Sequence, residues 1–83
     1  MFFVYAIKSL PTKQIYIGFT ENIEKRLHYH NSGYVKSTGK RKPWILLAIE
    51  GFELKNKARW VERELKTSKG NRLEWIERNR INF

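Results

Sequence analysis

The chain has 83 residues, no cysteine, and 17 Lys and Arg against eight Asp and Glu, a formal net charge of +9. One small domain spanning residues 1–83 is expected, without disulfide or thiolate-zinc bracing, and the charge favours nucleic acid over an acidic membrane surface as its partner. No apolar run nears the roughly 20 residues of a membrane span, and "MFFVYAI" is too short for a signal segment and has no basic residues before it, so a cytoplasmic, soluble protein is expected.

Residues 2–8, "FFVYAIK", and 14–19, "QIYIGF", read as two strands joined by the turn "SLPT", because Pro11 cannot sit inside a ladder. A turn centred on Leu10 and Pro11 sets Tyr5 opposite Tyr16, with both rings on one face. Gly18 weakens the second strand unless something approaches its backbone closely.

A helix over 22–32 follows, capped by Thr20 or Asn22, with Glu21 and Glu24 at its positive end and Gly33 as its stop. Ile23 and Leu27 face inward, with Tyr34 past the stop. Arg26 and His30, four apart, share that inward side, while His28 points away. An inward arginine needs an anionic partner, or else lays its stem along the core edge and reaches solvent. An inward histidine by itself reads as a hydrogen-bonded core residue.

Residues 32–43 form a loop bearing Lys36, Lys40, Arg41 and Lys42, with Tyr34 inside it and Trp44 at its end. It reads as a phosphate-gripping loop with aromatic support, or as a solvated face. A third strand over 44–52 is apolar enough to be buried on both faces. Residues 54–68 form a helix with Leu54, Ala58, Val61 and Leu65 as its inward stripe. Glu62 and Glu64 lie on its two shoulders. Trp60 falls largely opposite the stripe and is expected to pack on the last helix, with base stacking as the alternative. Gly70 reads as a stop, and Asn71 with Glu74 as a capping-box start to that last helix. The order β-β-α-β-α-α, with apolar residues on both faces of the hairpin, predicts an α/β fold: a small three-stranded, mainly antiparallel sheet flanked by helices.

"FVY" at 3–5, "YIG" at 16–18, "RLHYH" at 26–30 and "ARWVERELK" at 58–66 together resemble the GIY-YIG nuclease family. The likeness runs along nearly the whole chain. It is nearest to small stand-alone bacterial members, similar to the catalytic domain of the excision-repair nuclease. Phe3 stands where the first motif has its glycine. The resemblance implies catalytic roles for Tyr5, Tyr16, Arg26, His30 and Glu62, with Glu62 as the metal ligand and Lys66 completing its motif. Gly18 would give the substrate room, and Lys36, Lys40, Arg41, Lys42 and Lys66 would hold nucleic acid. Asn71 is the nearest match to an active-site asparagine of larger relatives.

A lone carboxylate suits Mg²⁺, with Mn²⁺ able to substitute. Arg26 would clamp the phosphate, and Tyr5 or Tyr16, assisted by His30, would serve as base although a free tyrosine has a pKa near 10. The expected activity is a metal-dependent endonuclease acting on DNA, with RNA left open, of structure-based or low sequence selectivity, in repair or processing. The alternative is a basic nucleic-acid-binding module that does not cut. The oligomeric state is left open.

Overall fold

The computed structural model describes residues 1–81; the last two residues of the expected domain lie outside the described part. Its elements in chain order are β1 (Phe2–Ser9), β2 (Ile15–Thr20), α1 (Ile23–Ser32), α2 (Lys36–Gly39), β3 (Trp44–Phe52), α3 (Lys55–Thr67) and α4 (Lys69–Asn79). The strands form an antiparallel sheet in the order β2-β1-β3. No helix among the described residues is long and apolar enough to cross a membrane.

Strand β1 lies in the middle, and Val4, Tyr5, Ala6 and Ile7 are all fully buried. Because side chains alternate across a strand, these four supply two different cores. Val4 and Ala6 join Ile17, Ala48, Ala58, Leu65, Trp75 and Ile76 beneath α3 and α4. Tyr5 and Ile7 join Trp44, with Tyr16, Ile23, Leu27, Leu46 and Ile49 packed around them on the α1 side. The expected cover of helices on both faces is present. Double burial belongs to β1, however, and not to β3, which is an edge strand with only Trp44 and Ala48 fully withdrawn from solvent. The chain returns after α4 to that edge, where the Ile81 amide donates to the Leu47 carbonyl at 3.0 Å.

The hairpin register differs from the expected one. Tyr5 pairs with Gly18, and Tyr16 with Ile7. The turn is longer than "SLPT", with Lys13 in a positive-φ conformation and its amide closing onto the Ser9 carbonyl. A shift of two residues preserves the face of every side chain, so the tyrosines remain on one side, diagonal to each other.

Asn22, not Thr20, caps α1 by accepting the Lys25 amide at 3.1 Å, while the Thr20 hydroxyl accepts the Asn22 amide. Gly33 ends the helix at φ 89°, where a side chain would be strained. Leu54 is exposed, because it precedes the first turn of α3 and lies off the stripe. Gly70 lies inside α4 and stops nothing. Ser68 does both jobs at that junction: its amide donates to the Glu64 carbonyl at the end of α3, and its hydroxyl accepts the Asn71 amide at the start of α4. Asn71 is therefore capped and not the cap.

Candidate active site

Tyr5 reaches its position because β1 directs it to the α1 side and Gly18 leaves room on the neighbouring strand. A Cβ at Gly18 would stand 2.3 Å from the Tyr5 hydroxyl. The space above the glycine is thus filled by Tyr5 itself and not left for a ligand. The hydroxyl meets two residues of α1: His30 Nε2 at 2.8 Å and the Arg26 Nε–H, which donates to it, at 3.4 Å. His30 Nδ1 lies 2.7 Å from the Thr38 hydroxyl oxygen. His30 and Thr38 are fully buried.

Burial pushes the Tyr5 phenol up to about 12, against which the Arg26 hydrogen bond acts. Burial, and secondarily the Arg26 charge, bring His30 down to about 4. His30 is therefore neutral near pH 7, with one donor nitrogen and one acceptor. Arginine only donates. With Tyr5 donating to Nε2 and Nδ1–H donating to Thr38, every polar atom of Tyr5 and His30 is matched, and the protons run one way from Arg26 to Thr38. Arg26 is held charged above its ordinary value, chiefly by its hydrogen bond to Tyr5. Among the described residues no carboxylate lies within ion-pairing distance of its guanidinium.

Tyr16 stands on the edge strand β2 and is half-buried, so it is the more accessible of the two tyrosines. Its ring lies 6.4 Å from that of Tyr5 and 5.0 Å from that of His30. Helix α3 packs against β1 and β2 and contributes the carboxylate. Glu62, with 15% of its side chain exposed, takes Lys66 Nζ at 2.9 Å on one oxygen and Arg59 Nε at 3.5 Å on the other. Its charge is felt at Tyr5. Lys66 Nζ lies 6.0 Å from the centre of the Tyr16 ring. Glu64 instead lines a groove with Trp60, Trp75 and Asn71, so both Glu64 and Asn71 stand away from the tyrosines.

The basic segment is not a plain loop, since α2 occupies part of it. Through Thr38 it is tied to His30, and the Thr38 carbonyl accepts the Trp44 indole N–H at 2.8 Å. Lys36, Lys40 and Lys42 are exposed. Arg41 folds back: its guanidinium donates to Gln14 at 2.7 Å and to the Ser37 carbonyl, and lies 5.5 Å from the Trp44 ring centre. Thr38 is the residue that the sequence reading missed. A threonine among Lys, Ser and Gly carries no periodicity, and only the unusual demand of an inward histidine for a second partner could have signalled it. Asn31 was missed likewise; its amide brackets the Trp44 backbone, donating to the carbonyl at 3.0 Å and accepting the amide at 2.6 Å, which fastens α1 to β3.

Among the described residues the arrangement offers a charged arginine without an ion-pair partner, an accessible phenol, a single carboxylate and flanking cations. Such a set can grip a phosphate and handle one proton. Comparison with known proteins agrees with that chemistry. The chain is 38% identical over 77 residues to a UPF0213 protein of Staphylococcus haemolyticus, covering 90% of this chain and 93% of that one. It is 41% identical over 78 residues to a UPF0213 protein of Bacillus licheniformis, covering 92% and 80%. An uncharacterized protein of Acanthamoeba polyphaga mimivirus is 42% identical over 57 residues, covering 63% of this chain and 34% of that one. No solved structure matches the chain. The family model for the GIY-YIG catalytic domain matches residues 1–76, and the chain belongs to that family of nuclease domains.

Proposed function

We propose that the protein is a divalent-metal-dependent endonuclease that hydrolyses phosphodiester bonds in DNA, with structure-based or low sequence selectivity, in repair or processing. The observation that carries this reading is Arg26: a charged guanidinium turned inward, oriented by Tyr5, with no carboxylate partner among the described residues. A scissile phosphate supplies the anion that such a group lacks. Its terminal nitrogens are free of the Tyr5 bond and suit the non-bridging oxygens.

Tyr16 is the proton acceptor we assign to the attacking water, because it is accessible where Tyr5 is fully buried and its phenol raised by that burial. Tyr5, His30 and Thr38 then act behind it, fixing the Arg26 guanidinium. His30 assists by accepting a hydrogen bond while neutral and not by titrating. Among the described residues no three His, Asp or Glu side chains gather. A site resting on Glu62 alone fits Mg²⁺, which keeps most of its waters and takes further oxygens from a phosphate, and Mn²⁺ fits the same oxygen donor. Lys66 and Arg59, both on exposed, movable side chains, hold the two Glu62 oxygens and would give way to the ion. When bound there, the ion would supply Lewis-acid stabilisation of charge at phosphorus.

The test is single-turnover cleavage of single-stranded, duplex, flapped and branched DNA, with an RNA strand beside them, in Mg²⁺ or EDTA. Cutting that requires the metal and vanishes in Glu62→Gln, with binding within a few-fold of wild type, is expected. Full activity of Glu62→Gln, with Glu64→Gln inactive, would show that the carboxylate is the other one.

A further inference from the structure

Trp44 and Trp75 are buried, but Trp60 is 59% exposed. Trp60 borders α4, lining a groove with Asn71, Glu74 and Trp75, but most of its surface stays open to solvent. At about 100° per residue, the surface of α3 runs outward from Glu62 through Lys66, Arg59, Arg63 and Asn56 to Trp60. An open groove of about 700 Å³ is lined by Lys55, Asn56, Arg59, Trp60 and Arg63. Arg59 and Arg63 also line the surface beside Glu62 and Lys66. The two surfaces share residues and form one strip from the candidate site to the indole. None of the residues lining the Trp60 groove is acidic. The carboxylates near the indole, Glu50, Glu64 and Glu74, line the separate groove toward Trp75.

We propose that this strip binds an unpaired strand of nucleic acid next to the scissile phosphate, with its phosphates on Lys55, Arg59 and Arg63 and one base stacked on Trp60. Charge decides the occupant: the groove on the exposed side of the indole is lined by three cations and Asn56 with no carboxylate, the combination that single strands use. Pairing decides the strandedness. A base inside a duplex has both faces covered by its neighbours, so only an unpaired or splayed base can lie flat on a side chain projecting from a helix. The stack tolerates any base, because every base has a π-face. The adjacency to cleavage rests on the nuclease reading; the strand binding does not.

The tryptophan count makes the measurement direct. Trp60 is the exposed fluorophore of three, so titration with a short single-stranded oligothymidylate in EDTA, where no metal-dependent cutting occurs, should quench the emission. Trp60→Ala should lose the quench and bind the strand about 5- to 100-fold more weakly, with Trp60→Phe intermediate. Binding to a blunt duplex of the same length should change little. Removing Arg59 or Arg63 should each lower the salt slope on the single strand by about 0.7. Unchanged affinity of Trp60→Ala for the oligothymidylate overturns the proposal and leaves the indole for a protein partner. Wild-type affinity of Trp60→Leu overturns stacking, and an equal loss on duplex overturns the need for an unpaired base. A wild type that binds and quenches but never cuts would sink the nuclease reading alone.

Discussion

The two faces of the sheet are built on opposite principles. Toward α3 and α4, β1 presents Val4 and Ala6 to a cluster of Ile17, Ala48, Leu65, Trp75 and Ile76, in which Trp75 donates its indole N–H to Glu50 at 2.7 Å and the rest is apolar contact. Toward α1, the same strand presents Tyr5 to His30 and Arg26, with Thr38 bonded to the far side of His30. Apolar burial stabilises without specifying direction, whereas a buried polar chain gains little net stability but fixes the place of every atom. The first face accounts for folding. The second holds a cation still at the surface, which is what electrostatic stabilisation of a transition state needs.

That contrast breaks most visibly when one large change is made on each face. Leu65→Ala removes a side chain only 3% exposed from the apolar cluster and should cost about 2–5 kcal/mol of stability. Cleavage per folded molecule should stay within a few-fold of wild type. Arg26→Ala should do the reverse. The rate should fall by about 10²–10³, near 3–4 kcal/mol of transition-state stabilisation, with little change in the melting temperature. Chemical denaturation and single-turnover cleavage on the same preparations decide it. Unfolding of Arg26→Ala would make the arginine structural and dissolve the division between the faces.

Gly18→Ala tests the polar face from the neighbouring strand, since the added methyl collides with the Tyr5 hydroxyl and ring. The phenol must move, and with it the bonds to His30 and Arg26. A loss of about 1–3 kcal/mol is expected together with a fall in rate. A Gly18→Ala protein as stable and as fast as wild type would mean that the Tyr5 position is not demanding.

How much of this was legible in the sequence follows from the same contrast. The apolar elements announced themselves by period: β1, β2, β3 and α3 lie close to their expected bounds, and the inward side of α1 was read correctly at Arg26, His30 and Leu27. The hairpin register was missed because turn length cannot be read from one proline, yet the error was even, and so Tyr5 and Tyr16 kept their face. Thr38 was missed because its partner lies eight residues away on another element, and nothing local in "KSTGK" asks for burial. The role of Gly18 was read in the right terms, as a close approach, but the approaching group is a side chain of the neighbouring strand. Pairwise polar geometry is long-range information, and single-residue patterns do not carry it.

A milder perturbation is acid. The His30 imidazole is depressed in the folded protein to about 4 from an ordinary 6.5. Below about pH 6.5 the unfolded chain takes up a proton that the folded one refuses, so stability falls as pH drops from there toward 4, then levels as the folded state also protonates. The melting temperature should be several degrees or more lower at pH 4.5 than at pH 7.5. His30→Gln should reduce that drop, while His28→Ala, at an exposed position, should retain it. An identical acid profile in His30→Gln would mean that other groups carry the effect. Above pH 6.5 the histidine is neutral in both states, so His30→Gln should slow cleavage without moving its pH profile between 6.5 and 9.

The smallest change sharpens the comparison most, because Thr38→Val alters one atom's polarity and almost no volume. On the apolar face such a swap would be minor; here it removes the acceptor for the His30 Nδ1–H. Left buried and unpaired, that N–H costs about 1–3 kcal/mol. The imidazole can escape the cost by moving its proton to Nε2, but that nitrogen then donates to the Tyr5 oxygen, which already accepts from Arg26. The Tyr5 proton loses its acceptor, and the guanidinium loses its fixed orientation. The expected result is a stability loss of about 1–2 kcal/mol with a several-fold slower cleavage. Thr38→Ser, which keeps the hydroxyl, should restore most of both. Nitrogen NMR of the His30 ring distinguishes positioning from packing: Thr38→Ser should keep the proton on Nδ1, and Thr38→Val should shift it to Nε2. Should Val and Ser behave alike in melting, rate and ring-nitrogen shifts, Thr38 only fills space, and the polar chain ends at His30.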